Sequence, residues 1–200
     1  MLRNFSVGSP IATAPKRSTD AVDLSLLGRV IARDMRAFEA LYRIYHPRLE
    51  RFLGLITTRR TIVEEALNDT MLVVWRRSDT YTGQCKVSTW IFAIAYRTAL
   101  KALRGEDEPV AASTADEPVC DDAGPEQQLD RRQTRATLMR ALETLSAEQR
   151  AVLILTFFHD LPYAEIARVV DCPVDTVKTR VFHGRRRLRA ALHDCLGASS

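Results

Sequence analysis

From Leu161 to Arg189 the chain reads LPYAEIARVVDCPVDTVKTRVFHGRRRLR, a short helix, a tight turn and a second helix dense in positive charge. Ile166, Ala167 and Val170 make one apolar stripe, which Asp171-Cys172-Pro173 interrupts. A second stripe follows at Val177, Val181, Leu188 and Leu192, spaced as one face of an α-helix. Between its members stand Lys178, Arg180, His183, Arg185, Arg186, Arg187 and Arg189. This is the layout of a helix-turn-helix, whose second helix enters the major groove of duplex DNA.

Two amphipathic helices with a solvated charged face would share the gross pattern. Three details favour DNA. Ala167 is small where the helices must approach, and the turn has the brevity the motif requires. Basic residues far outnumber acids along the second helix, and its Asp175 lies in the first turn, where the helix dipole favours a carboxylate. Asp171 holds a turn position that often carries glycine, and Asp tolerates left-handed backbone better than most residues.

The net charge of +4 hides an asymmetry, because Gly105 to Gln128 holds eight acids and no Lys or Arg, which leaves +12 on the remainder. Basic folded parts beside an acidic strip point to a nucleic-acid binder. That strip is rich in Ala, Pro and small polar residues and lacks apolar periodicity, so it reads as a flexible linker. The expected fold class is all-α: two small helical domains joined by this acidic linker, the C-terminal one a helix-turn-helix domain. The expected boundaries are a disordered tail at 1–20, a first domain at 21–104, the linker at 105–128, a second domain at 129–196 and a short tail at 197–200. The N-terminus, interrupted by Pro10 and Pro15, lacks the continuous apolar core of a signal peptide, and no apolar run approaches the ~20 residues of a membrane span. The expectation is a cytoplasmic protein.

In the first block Phe38, Leu41, Tyr42, Tyr45, Leu49, Phe52 and Leu53 recur at helical spacing, and Pro47 is expected to kink or break that helix. Thr61-Ile-Val-Glu64 has the form of a capping box opening a helix to about Arg77. Its Val63, Leu67, Met71 and Val74 can face a core, while Glu65, Asn68, Asp69, Leu72 and Arg76 make a polar face with one apolar member. A loop follows over Tyr81–Val87, punctuated by Gly83, and Ser88 is the expected N-cap of a helix over Thr89–Arg104. On it Trp90, Arg97, Lys101 and Arg104 share a face, the aromatic-plus-basic track that single-stranded nucleic acid favours, although a lone Trp commonly fills a helical core. In the second block Leu138, Leu142 and Leu145 finish one helix, and Ser146-Ala-Glu-Gln149 is a second capping box. It opens a helix through Val152–Leu155 to Phe157-Phe158 that is apolar nearly all round and therefore expected to be buried.

Taken together, these blocks resemble the extracytoplasmic-function sigma factors of bacterial RNA polymerase. FEALYRIYHPRLERF, VEEALNDTMLVVWRR and STWIFAIAYRTALKALR are similar to that family's −10 domain, called region 2. LETLSAEQRAVLIL, LPYAEIA and CPVDTVKTRVFHGRRRLR are similar to its −35 domain, called region 4. The resemblance implies that Glu65, Asn68, Asp69, Leu72 and Arg76 dock on core polymerase. It implies a loop that captures a flipped −10 base, so that Gly83, Gln84, Lys86, Ser88, Trp90, Arg97, Lys101 and Arg104 contact −10 DNA. It also implies that Val174, Asp175, Thr176, Lys178, Thr179, Arg180, His183, Arg185, Arg186 and Arg187 meet the −35 groove. An acidic linker running toward the RNA path and an anti-sigma factor as partner are implied as well. The chain departs from the family pattern in IAYR with Lys101, where IARN and a later Asp are common, and at Asp175, where a small residue often stands.

The alternative is a stand-alone helix-turn-helix regulator that binds duplex DNA without polymerase. An enzymatic reading finds almost no support: there is no phosphate-cradling glycine loop, no metal-ligand spacing and no nucleophile beside a plausible base. Cys85, Cys120, Cys172 and Cys195 form no CxxC pair, so neither metal nor cofactor is expected, and Cys85 reads as an incidental small apolar residue.

Overall fold

The computed structural model describes residues 16–105, 134 and 136–197. Among these, eight α-helices and one 3-10 turn make up the regular structure. They are α1 (Lys16–Ile31), α2 (Met35–Ile56), α3 (Arg60–Arg77), α4 (Val87–Gly105), α5 (136–143), α6 (Ala147–Phe157), α7 (Tyr163–Val170) and α8 (Val174–Gly197), with the 3-10 turn at Ser78–Thr80. The expected linker lies outside the described residues except for Gly105, which ends α4. The helix α1 begins at Lys16, inside the stretch assigned to a tail, and its Leu27 and Val30 are buried against the next elements.

A sharp turn through Arg33, at φ 64°, leads to α2. Asp34 caps that helix by accepting from the amides of Arg36 and Ala37, and Arg29 pairs with the same carboxylate at 2.6 Å. The Arg29 guanidinium, with the Ala37 and Arg36 amides, holds the Asp34 carboxyl below its ordinary value. Leu41, Tyr45, Leu49, Phe52, Leu53 and Ile56 bury one face of α2. Contrary to expectation, the helix runs on through Pro47, which is exposed. The amide that proline lacks lies on the solvent side, where water can serve the freed carbonyl, while the buried stripe holds the helix together.

The capping box expected at Thr61 is not formed. α3 starts at Arg60, its N-cap Arg59 makes no side-chain cap bond, and Glu64 pairs back with Arg60 at 2.8 Å. Thr57 closes the preceding turn by accepting from the Arg59 amide at 3.2 Å. The expected core positions Val63, Leu67, Met71 and Val74 are all buried. Ser88 is likewise not a cap: α4 begins at Val87, and Ser88 lies buried in its first turn.

In the second half the structure follows the sequence closely. Ser146 and Gln149 form the reciprocal capping box at the start of α6, and Ala151 to Leu155 are buried. Phe157 and Phe158, expected inside, are 55% and 49% exposed, so the buried run ends at Leu155. Asp171 ends α7 in the left-handed region (φ 51°, ψ 57°), and the Cys172 amide bonds the Ala167 carbonyl at 3.1 Å. Val177 and Val181 of α8 are buried, and Gly184 allows α8 to approach α6: an added Cβ would lie 3.1 Å from Leu153 Cδ1.

The helix α4 is the wall between the two halves. Ile91 to Tyr96 are six consecutive buried residues, more than one helical face can hold. One side of α4 packs on α2 and α3, the other on α7, while α6 lies on α2.

Candidate nucleic-acid interface

Three surfaces hold the sequence-derived site residues. On α3, Glu65, Asn68, Asp69, Leu72 and Arg76 are all exposed. Leu72, 42% exposed, and Asn68 border a shallow apolar groove of about 260 Å³ with Met35, Phe38, Tyr42, Met71 and Trp75. The groove was not anticipated. Met35 opens α2 and Trp75 closes α3, so sequence spacing within one helix could not bring them together.

The second surface is the loop before α4 and the outer side of that helix. Gly83 adopts φ 74°, and the Tyr81 hydroxyl donates to the Cys85 carbonyl. Tyr81 meets Trp90 edge-on, ring centroids 5.7 Å apart, a pairing that fixes the loop against the helix. Gln84 and Lys86 are exposed, as are Arg97, Lys101 and Arg104 along α4, whereas Trp90 is half-buried. Burial pushes the Cys85 thiol up, the opposite of what an activated thiolate needs.

The third surface is α8. Lys178 pairs with Asp175 at 2.9 Å, and the Thr179 hydroxyl donates to the Asp175 carbonyl at 2.9 Å, so Asp175 organises the first turn. Val174, His183, Arg186 and Arg187 are exposed, Thr176 is half-buried, and Arg185 lies over the Phe157 ring at 5.7 Å. Arg180 is set apart from them. It is half-buried, donates to Cys172 Sγ at 3.7 Å, and bears electrostatically on Tyr96 of α4 and on Glu148.

The second surface is not free. The Glu165 carboxylate of α7 accepts from the Thr89 hydroxyl at 2.8 Å and pairs with Lys86 at 3.6 Å. Arg168, one turn on, donates to the Gln84 carbonyl at 2.6 Å. Lys86 also pairs with Asp20 of α1 at 3.2 Å, and that hydrogen bond helps hold its ammonium above the ordinary lysine value. Further along the seam, His159 lies against Phe92 and Phe52 (ring centroids 4.6 and 5.9 Å), and Arg150 donates to the Ile56 carbonyl at the end of α2 at 2.5 Å. None of these cross-domain contacts is anticipated by the motifs. The described residues contain no group of three His, Cys, Asp or Glu placed to hold a metal, and no helix among them is long and apolar enough to cross a membrane.

Residues 41–108 match the model of Sigma-70 region 2, and residues 135–188 match that of Sigma-70 region 4. The RNA polymerase sigma-H factor of Pseudomonas aeruginosa is 31% identical, over 89% of this chain and 97% of its own. The chain belongs to the extracytoplasmic-function sigma factors. The factor RpoE of Cereibacter sphaeroides, of the same family, is also 31% identical, over 86% of this chain and 96% of its own. Among solved structures, the sigma factor RpoE bound to the anti-sigma factor NepR, from Bartonella quintana, has the same fold. It is 23% identical over 80% of this chain and 98% of that one, with a TM-score of 0.64. This sigma factor thus places region 2 in α2–α4 and region 4 in α5–α8.

Proposed function

We propose that this sigma factor docks on core RNA polymerase through α3, with Glu65, Asn68, Asp69 and Arg76 surrounding Leu72 as an apolar contact. An exposed leucine beside an apolar groove, ringed by charges, is what a protein interface needs and a solvated helix does not. In the complex the loop at Gly83, Gln84 and Lys86, with Ser88 and Trp90 behind it, captures an unstacked base of the −10 strand. Arg97, Lys101 and Arg104 track the phosphates beside it. Val174, Asp175, Thr176, Lys178, Thr179, Arg180, His183, Arg185, Arg186 and Arg187 meet the −35 duplex, with phosphate contacts fixing the register and arginines reading guanine. The domains run 21–104 and 129–196, and the acidic segment 105–128 enters the RNA path of polymerase. The protein works in the cytoplasm without catalysis of its own, without metal or cofactor, and is restrained by an anti-sigma factor.

The observation that carries this reading is the α3 face: all five residues assigned to polymerase are exposed together, while every core position between them is buried. Purified protein added to core polymerase is expected to co-purify with it and to start transcription at a subset of promoters. Tight, specific duplex binding alone, with no association with core, would establish the stand-alone regulator instead.

A further inference from the structure

Where the turn between α6 and α7 meets α2, a recess of about 260 Å³ is lined by Pro47, Arg48, Arg51, Phe158, His159 and Asp160. Arg48 and Arg51 are three residues apart and Pro47 and Arg51 four, so all three lie on one face of α2. The lining is cationic. Two guanidinium groups meet a single carboxylate, and neither Arg48 nor Arg51 has an ion pair among the described residues. Arg48 lays its guanidinium over the rings of Tyr45 and Phe92, at 4.8 and 5.5 Å from their centroids. Stacking uses the flat face of a guanidinium and leaves the N–H donors of its edge. Its charge also bears on Asp23 and on the Tyr45 hydroxyl, and five donors leave some for a further acceptor. We propose that this recess binds a phosphate group, free or carried by a small metabolite, held by Arg48 and Arg51 of α2 against His159 of the α6–α7 turn.

The chemistry of the lining selects the ligand. Two arginine forks within one helical turn match the several oxygens of a tetrahedral dianion, whereas a single carboxylate satisfies only one fork. The volume lies just below the ~300 Å³ at which sites for drug-sized molecules begin, so it suits a phosphate with little else attached. Arg51, Phe158 and Asp160 are exposed, so the ligand can enter without any part of the fold moving. His159 supplies an adjustable charge. Its Nε2 is enclosed without a hydrogen-bond partner, and burial, with Arg48 and Arg51, holds its pKa down at about 4. The charged groups facing it are those two arginines from α2 and Asp160 beside it, while α4 contributes the neutral Phe92 ring. A bound dianion offsets the arginines and favours the imidazolium, so binding draws a proton onto the ring. Because α2 belongs to the first domain and the turn to the second, a ligand held by both stabilises their packing by mass action.

Titration of the full-length chain with sodium phosphate, at ionic strength held constant with sodium chloride, tests the site. The carbon-bound ring protons of His159 are followed by NMR and assigned by their loss in His159→Phe. A saturable shift is expected, and Arg51→Gln should weaken the binding at least about tenfold. Arg51 is exposed, so the rest of the spectrum should stay that of the folded wild type. Arg140→Gln, which removes an exposed charge on α5, should leave the titration unchanged. Inorganic phosphate and adenosine 5′-monophosphate, titrated separately, distinguish a free ion from a phosphorylated metabolite: the tighter binder is the class the site serves. Sulfate, a dianion at both pH values, should bind more tightly at pH 5.5 than at pH 7.5, and His159→Phe should lose that dependence. A shift that grows linearly with phosphate, or that survives Arg51→Gln intact, would overturn the site. So would weaker binding of a single-stranded oligonucleotide by Arg51→Gln with the His159 signals unmoved by phosphate, which would place both arginines on a nucleic-acid track instead.

Discussion

His159, where the turn between α6 and α7 meets α2 and α4, makes the packing of the two domains sensitive to acid. Its ring lies against Phe92 and Phe52, its Nε2 has no partner, and it is largely enclosed. Burial is the main reason its pKa falls from 6.5 to about 4; Arg48 and Arg51 push the same way, and Asp160 opposes them weakly. The folded chain thus favours neutral imidazole, and His159 takes up a proton when the chain unfolds. The sign follows from linkage: its contribution is complete above pH 6.5, erodes as pH falls from there toward 4, and changes no further below that. At pH 5 the two titration curves differ by about 2 kcal/mol, an upper figure because the residue retains some solvent contact. Asp23 also contributes to the acid dependence, because burial raises the pKa of its carboxyl. The measurement must therefore be a difference against His159→Phe, which keeps an aromatic ring in the site and removes the proton. Urea unfolding at pH 7.5 and pH 5.0, followed by Trp75 and Trp90 fluorescence, supplies it. Wild type should lose ~2 kcal/mol more than the variant between the two conditions. Equal losses would show that His159 is not enclosed as described, and the seam would lose its central anchor.

Other outcomes bear on single surfaces. Leu72→Asp should change stability by no more than about 0.5 kcal/mol, because the side chain is exposed, yet cut co-purification with core at least about tenfold; retention of core binding would move the interface off α3. Gly184→Ala gains about 1 kcal/mol of helix propensity but forces a methyl against Leu153 at 3.1 Å, so a net loss of ~1 kcal/mol is expected in urea unfolding. A stabilised variant would mean that Leu153 yields freely. Arg187→Ala should lower the slope of log K against log salt by about 1 for a −35 duplex, and an unchanged slope would place Arg187 off the phosphates.

How much of this was legible in the sequence depends on how local the cause is. The helix-turn-helix was, because its determinants lie within about thirty residues: the stripe on each helix, and an Asp171 able to adopt a left-handed turn. The Ser146–Gln149 box formed because its neighbours leave both partners at the surface. The same motif at Thr61–Glu64 failed. Thr57 had already closed the turn, and the nearby Arg60 gave Glu64 a better partner than an amide. Ser88 lost its capping role because Val87, 4% exposed, is drawn into the core and carries the helix start with it. α1 was not read at all: Val22, Leu24 and Ile31 are exposed beside buried Leu27 and Val30, so its apolar residues do not define one stripe.

The contact between domains left a trace in the sequence even so. A helix packed on one side alternates buried and exposed positions with a 3.6-residue period, as α3 does. The run Trp90-Ile-Phe-Ala-Ile-Ala-Tyr96 has no polar position through nearly two turns, so a helix made of it must be covered on two sides. The first half covers one side of α4 through α3, with smaller contributions from α1 and α2. The other side is covered by α7 of region 4. Parting α7 from α4 would bare most of a helical face of apolar surface to water at once, so this packing is a core contact that holds the two domains together in the free chain.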